Sequence, residues 1–140
     1  MTQPYFDSLN EGDPLPALAK LPTPRQLVMY AGASGDFNPI HYHKDTAVAR
    51  GLPGIVVHGQ LVACFLAQMV TDWMGPLSEL EKCSVSYKAL TLPDESLVCR
   101  GVISKKLVGG RVALTLWAEN TRGEKTVVGT ATVKLPALAA

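Results

Sequence analysis

The segment that most constrains this chain is Leu61–Val70. Val62, Ala63, Phe65, Leu66, Met69 and Val70 put apolar side chains on almost every face of a helix, and a helix that is apolar all round is a buried one. The pattern predicts a long central helix from Ile55 to about Trp73. Its apolar stretch is too short to cross a bilayer, which takes about 20 residues. The C-terminal half of the chain can bury it. Cys83–Leu90, Ser96–Leu107, Arg111–Asn120 and Thr126–Leu135 read as strands. Gly109-Gly110 predicts a hairpin turn, and Thr121-Arg122-Gly123-Glu124 predicts another. One buried helix followed by long antiparallel strands is an α+β layer pattern. It predicts a sheet wrapped around a helix.

The N-terminal half is punctuated rather than periodic. Leu15–Leu21 reads as a first strand, against the presence of Pro16. Thr23, Pro24 and Gln26 make a helix start, with a cap, a first-turn proline and a capping-box partner. Leu27, Val28, Tyr30 and Ala31 supply an apolar face. Gly32 and Gly35 are expected to end the helix and leave Asp36 on irregular backbone. Asn38-Pro39 holds the chain extended before His41, because the residue before proline is pushed out of the helical region. Lys44–Arg50 reads as a short helix closed by Gly51, and Pro53-Gly54 breaks the chain again. No repeat or linker interrupts the sequence, so residues 1–140 are expected to form one domain.

Composition removes several classes of function. The net charge is +1, with Lys and Arg scattered along the chain. No basic stripe is available for a phosphate backbone, so nucleic acid is not an expected partner. Only 18% of residues are charged while 47% are hydrophobic, a balance that predicts a second buried surface in an oligomer. Cys64, Cys83 and Cys99 are odd in number and lack C-x-x-C spacing, so they read as small buried apolar residues in a reducing compartment. The N-terminus has no basic start or apolar core of a signal peptide, and a cytoplasmic protein is expected. No His/Cys/Asp group has ligand spacing and no G-x-G-x-x-G follows a strand, so neither metal nor redox cofactor is expected.

The chemistry-bearing stretch is Ala33-Ser-Gly-Asp-Phe-Asn-Pro-Ile-His41, followed by Gly54-Ile-Val-Val-His-Gly59. It puts a carboxylate, Asp36, and an imidazole, His41, on one turn-rich segment with a proline between them. Such a segment can fold both side chains into one small volume, where a near-neutral imidazole and a carboxylate can move a proton. Gly59 stands near the start of the buried helix, where the first N–H groups lack intrahelical partners and the helix dipole is positive. Those donors suit a developing oxyanion, and glycine lets a carbonyl approach closely.

The stretch resembles the MaoC-like family of (R)-specific enoyl-CoA hydratases and dehydratases. The family pattern, approximately Ser-x-Asp-x-Asn-Pro-x-His and then His-Gly, falls on Ser34, Asp36, Asn38, Pro39, His41, His58 and Gly59. The resemblance implies a single hot-dog fold. It implies hydration of trans-2-enoyl thioesters, or the reverse, with Asp36 and His41 as the acid-base pair and the Gly59 N–H as oxyanion donor. Ser34, Asn38, Pro39 and His58 are expected to support the motif, His58 as a structural residue. The implied substrate is an acyl thioester of coenzyme A or acyl carrier protein, handled by a homodimer or by a heterodimer with another hot-dog subunit.

Two departures stand out. Relatives often carry Asp two residues after the histidine, where this chain has His43 and then Asp45. Some carry a helix serine that assists the carboxylate, in the region of Ala67 or Val62 here. Two alternatives to this function are a subunit that needs an unlike hot-dog partner and a hot-dog acyl thioesterase. The latter commonly uses an acid or Gln on the central helix. Between Ile55 and Thr71 that helix offers only Gln60 and Gln68.

Overall fold

The computed structural model describes residues 3–138. Its sheet has five strands, β1 (Leu18–Lys20), β2 (Glu79–Tyr87), β3 (Leu97–Leu107), β4 (Arg111–Asn120) and β5 (Lys125–Lys134). They lie in the order β1-β3-β4-β5-β2, and every neighbouring pair is antiparallel. Three helices accompany them: α1 (Pro24–Ser34), α2 (Lys44–Ala49) and α3 (Gly59–Met74). This is a hot-dog fold, a curled antiparallel sheet holding one long helix.

The sheet curls because its ladders slip. Register breaks fall at Leu80/Lys82, Ile103/Lys105 and Ala118/Glu119, and each such bulge bends the strand and adds twist. The concave face carries alternate residues, as a pleated strand requires. On β4 these are Val112, Leu114, Leu116 and Ala118, all buried. They meet Val62, Phe65, Leu66, Met69 and Val70 of α3 in one core. At Gly101 a side chain would stand 2.9 Å from Leu116 Cδ2 and 3.2 Å from Met69 Cε. Helix and sheet therefore approach closely at a residue that has no Cβ to spare.

Helix α1 starts as its residues dictate, with Thr23 Oγ1 accepting from the Gln26 N–H at 3.2 Å. It runs through Gly32 and stops at Gly35, whose φ of 78° is left-handed backbone. The first strand is shorter than its composition suggests. Pro14 and Leu15 contact β3 individually before Pro16, and continuous pairing begins only at Leu18.

The central helix begins at Gly59, not Ile55. Residues 55–57 are apolar but extended, since the Val56 N–H bonds to Ile40 O and the Val57 N–H to Thr91 O. Periodicity cannot separate a short apolar extended segment from the helix that continues it. Nor is α3 buried all round, because Gln60, Cys64, Gln68, Thr71 and Asp72 form an exposed face. The burial expected of the cysteines holds for Cys99 alone, and Cys64 and Cys83 are exposed. Cys83 stands mid-way along β2, which begins four residues earlier than expected and lies at the sheet edge.

Candidate functional site

Asp36 and His41 are brought together by the loop between α1 and α2. Gly35 turns the chain off α1, and Ser34 Oγ accepts from the Asp36 N–H at 3.2 Å while its hydroxyl donates to Tyr30 O at 2.7 Å. Asp36 Oδ1 accepts from the Asn38 N–H at 3.2 Å. Asn38 then caps the short 3-10 turn Pro39–His41, and its Oδ1 also accepts from the Arg50 guanidinium at 3.1 Å. Short polar side chains thus satisfy the backbone of a segment that is neither helix nor strand. Pro39 occupies the first position of the 3-10 turn, where its fixed φ suits the geometry.

His41 is 7% exposed, and its Nδ1 lies 2.7 Å from Val56 O. A carbonyl only accepts, so Nδ1 carries the proton and neutral His41 presents a bare lone pair at Nε2. That atom is 3.7 Å from Asp36 Oδ2, on a side chain 49% exposed. The separation is too long for a direct hydrogen bond, yet one water can touch both atoms.

His58, 1% exposed, stacks on His41 with ring centroids 3.7 Å apart and planes 20° off parallel. Its Nε2–H donates to Asp36 O at 3.2 Å. Its Nδ1 is buried and has no hydrogen-bond partner among the described residues. Burial pushes the His58 pKa below 6.5, and the neighbouring His41 pushes it the same way. His58 ties the Asp36 backbone to the His41 ring.

Tyr30, which the sequence marks only as part of the apolar face of α1, closes this cluster. Its ring meets His58 edge-on at 4.9 Å and its hydroxyl is 4.0 Å from Cys64 Sγ. Burial, and secondarily the Cys64 thiol, push its pKa up to about 12.

Ligand atoms of Asp36, His41 and His58 all lie within 4.8 Å of one another, so they form a candidate metal centre. The geometry of the rings does not suit it. Imidazole lone pairs lie in the ring plane, and these rings are stacked nearly parallel. An ion about 2.0–2.1 Å from a nitrogen of each ring would stand far outside both planes.

A cleft of about 400 Å³ opens beside His41. Gly59 and Gln60 line it, and Ile40, Val57, Leu90 and Val127 make its wall apolar. Helix α3 makes its first bonds from the Leu61 and Val62 N–H groups to His58 O. The N–H groups of Gly59 and Gln60 have no backbone partner among the described residues, at the positive end of a 16-residue helix. Tyr87 covers part of this end, its hydroxyl donating to Gln60 Oε1 at 2.9 Å. His43 lies outside the cluster and caps α2 through Nδ1.

His41, with Asp36 beside it, and the start of α3 thus share one apolar cleft on a hot-dog sheet. The chain matches the family described as "MaoC like domain" over residues 10–135, and it belongs to the MaoC-like hydratase/dehydratase family. It is 28% identical to an (R)-specific enoyl-CoA hydratase of Rhodospirillum rubrum, over 95% of this chain and 92% of that protein. It is 31% identical to the 3-oxo-4,17-pregnadiene-20-carboxyl-CoA hydratase beta subunit of Mycobacterium tuberculosis, over 89% and 93%. Among solved structures it resembles the (R)-hydratase of A. caviae at a TM-score of 0.85 and 25% identity, covering 92% of this chain and 98% of that one. It resembles a chain of the ChsH1-ChsH2 complex of Mycobacterium tuberculosis at 0.82 and 25%, covering 90% and 98%. Against the fatty acid synthase beta subunit TOXC of Cochliobolus carbonum it is 29% identical over 74% of its own length but spans only 5% of that protein.

Proposed function

We propose that the protein is an (R)-specific hydratase/dehydratase that interconverts trans-2-enoyl and (R)-3-hydroxyacyl thioesters of coenzyme A or acyl carrier protein. The observation that carries this reading is the bare Nε2 of His41 set 3.7 Å from Asp36 Oδ2, with both the His41 ring and the free N–H groups of α3 on one apolar cleft. Water held by the pair loses a proton to it as its oxygen bonds to C3. The C2–C3 π electrons move into the thioester, whose oxygen becomes an enolate within reach of the Gly59 N–H. Returning the proton to C2 completes the addition. One water is added with no change of redox state, so Asp36, His41 and Gly59 can carry the step as acid-base pair and oxyanion donor. Ser34, Asn38, Pro39 and His58 hold that geometry.

The test is hydration of trans-2-enoyl-CoA of increasing chain length, with chiral analysis of the product and a thiol trap in parallel. (R)-3-hydroxyacyl-CoA without free thiol supports the reading. Thiol release marks a thioesterase, and the (S) product, or no product even with an unlike subunit added, refutes it.

A second reading differs in the partner. The 31% identical relative is a beta subunit, and the ChsH1-ChsH2 structure is a complex of two chains. The protein would then supply the Asp36/His41 half of a mixed assembly. Purified alone it would be inactive, and activity would appear on adding the unlike subunit.

A further inference from the structure

At the start of α3, Gly59 lacks a side chain and Tyr87 fills the space. A Cβ at Gly59 would stand 2.8 Å from Tyr87 Cε1 and 2.9 Å from Cδ1. The ring edge therefore lies directly over the glycine. Its hydroxyl is clasped to the Gln60 side chain at 2.9 Å, one residue further along the same helix turn. Both residues line the cleft that holds His41. Tyr87 is also the last residue of edge strand β2 and is 54% exposed. Its backbone is held by pairing with Val127.

We propose that Tyr87, latched by Gln60, determines which acyl thioesters the cleft accepts, by excluding substituents at C2. This rests on the hydratase reading. An oxyanion donor works at about 2.7–3.1 Å from the oxygen it stabilises, so a thioester bonded to the Gly59 N–H places its carbonyl beside the Tyr87 ring edge. C2 is the next atom along the acyl chain. A hydrogen there fits beside the ring edge that lies over Gly59, and a methyl group meets it. Longer chains extend along the apolar wall of Ile40, Leu90 and Val127. The Tyr87 edge therefore reads branching at C2. One methylene against a tight pocket is worth about 10–200-fold in discrimination.

The experiment measures kcat/KM for an unbranched trans-2-enoyl-CoA and for its 2-methyl-branched counterpart. It uses the wild-type protein and the variants Tyr87→Ala, Tyr87→Phe and Gln60→Ala, each checked for thermal unfolding. The wild type is expected to prefer the unbranched substrate. Tyr87→Ala should raise the branched-to-unbranched ratio by at least about tenfold. Tyr87→Phe and Gln60→Ala keep the ring and release the latch, so they should raise the ratio by less. These two variants decide the matter if Tyr87→Ala does not fold. A ratio unchanged in all folded variants overturns the proposal while leaving the hydratase reading standing. A wild-type protein that hydrates neither substrate, alone or with the unlike subunit added, overturns both.

Discussion

Asp36 and His41 divide into a reactive half and a bracing half. Asp36 Oδ2 faces His41 while Oδ1 accepts from the Asn38 N–H, so Asp36→Asn can keep the loop and lose only the charge. Asp36→Asn and His41→Gln are each expected to lower kcat by about 10²–10⁴-fold with folding intact, the range for loss of a general acid or base. Acting as one unit, they should be little worse together than the worse single variant. Steady-state kinetics of the three proteins checks this, and multiplicative losses would mean separate roles. His58 makes a prediction of the opposite kind, about stability. Its folded pKa lies below 6.5, so the unfolded chain binds the proton more readily. Its contribution is fully present above pH 6.5 and is lost as the pH falls from there through the folded pKa. Denaturant titrations should show stability falling with pH in that window, and His58→Gln should flatten the slope. An identical slope in the variant would remove His58 as its source.

Helix α3 joins core and site, and its two ends make different demands. Leu66 is fully buried against the sheet. Leu66→Ala should cost about 2–5 kcal/mol through lost transfer energy and the cavity left behind. Urea unfolding reads this directly, and a loss below about 1 kcal/mol would mean that the sheet can close the gap. At the other end, Gly59 has two reasons to be glycine: approach of a thioester and approach of the Tyr87 ring. Gly59→Val should lower kcat/KM on an unbranched substrate by about 10²–10³-fold, the scale of one lost oxyanion donor. Tyr87→Ala in the same protein separates the two reasons. If activity stays low, the side chain blocks the substrate. If activity returns, Gly59 only makes room for the ring.

At the scale of the whole molecule, surface is left over. Strand β2 ends the sheet with one side unpaired, and β2 together with the outer face of α3 is largely exposed. Asp36, half exposed, stands at the open side of the site. Unpaired edges and exposed apolar side chains such as Val28, Met29 and Phe37 are features that proteins cover by association. The protein is expected to be at least a dimer, alone or with an unlike subunit. Sedimentation at micromolar concentration checks this, and an active 15.0 kDa monomer would refute it.

Elements whose signal is local were legible in the residues. The cap of α1 at Thr23, the Gly109-Gly110 turn and the alternation of β4 are set by neighbours in sequence, and strand β4 has the expected bounds. The Asp36…His41 motif was legible for the same reason, since its bracing bonds span only a few residues. Signals that depend on distant partners were not. The start of α3 moved from Ile55 to Gly59 because Ile40 and Thr91, far away in sequence, capture the backbone of 56–57. The outer face of α3 carries exposed Cys64 and half-buried Ala67 beside its glutamines, and apolarity alone does not tell a face turned to the sheet from one turned away. The stacking of His58 on His41, the carbonyl of Val56 that sets the His41 proton, and the ring of Tyr87 over Gly59 join residues 15 to 28 positions apart. Local chemistry determined which groups this protein carries on its loop, and tertiary packing decided which atoms of those groups face one another.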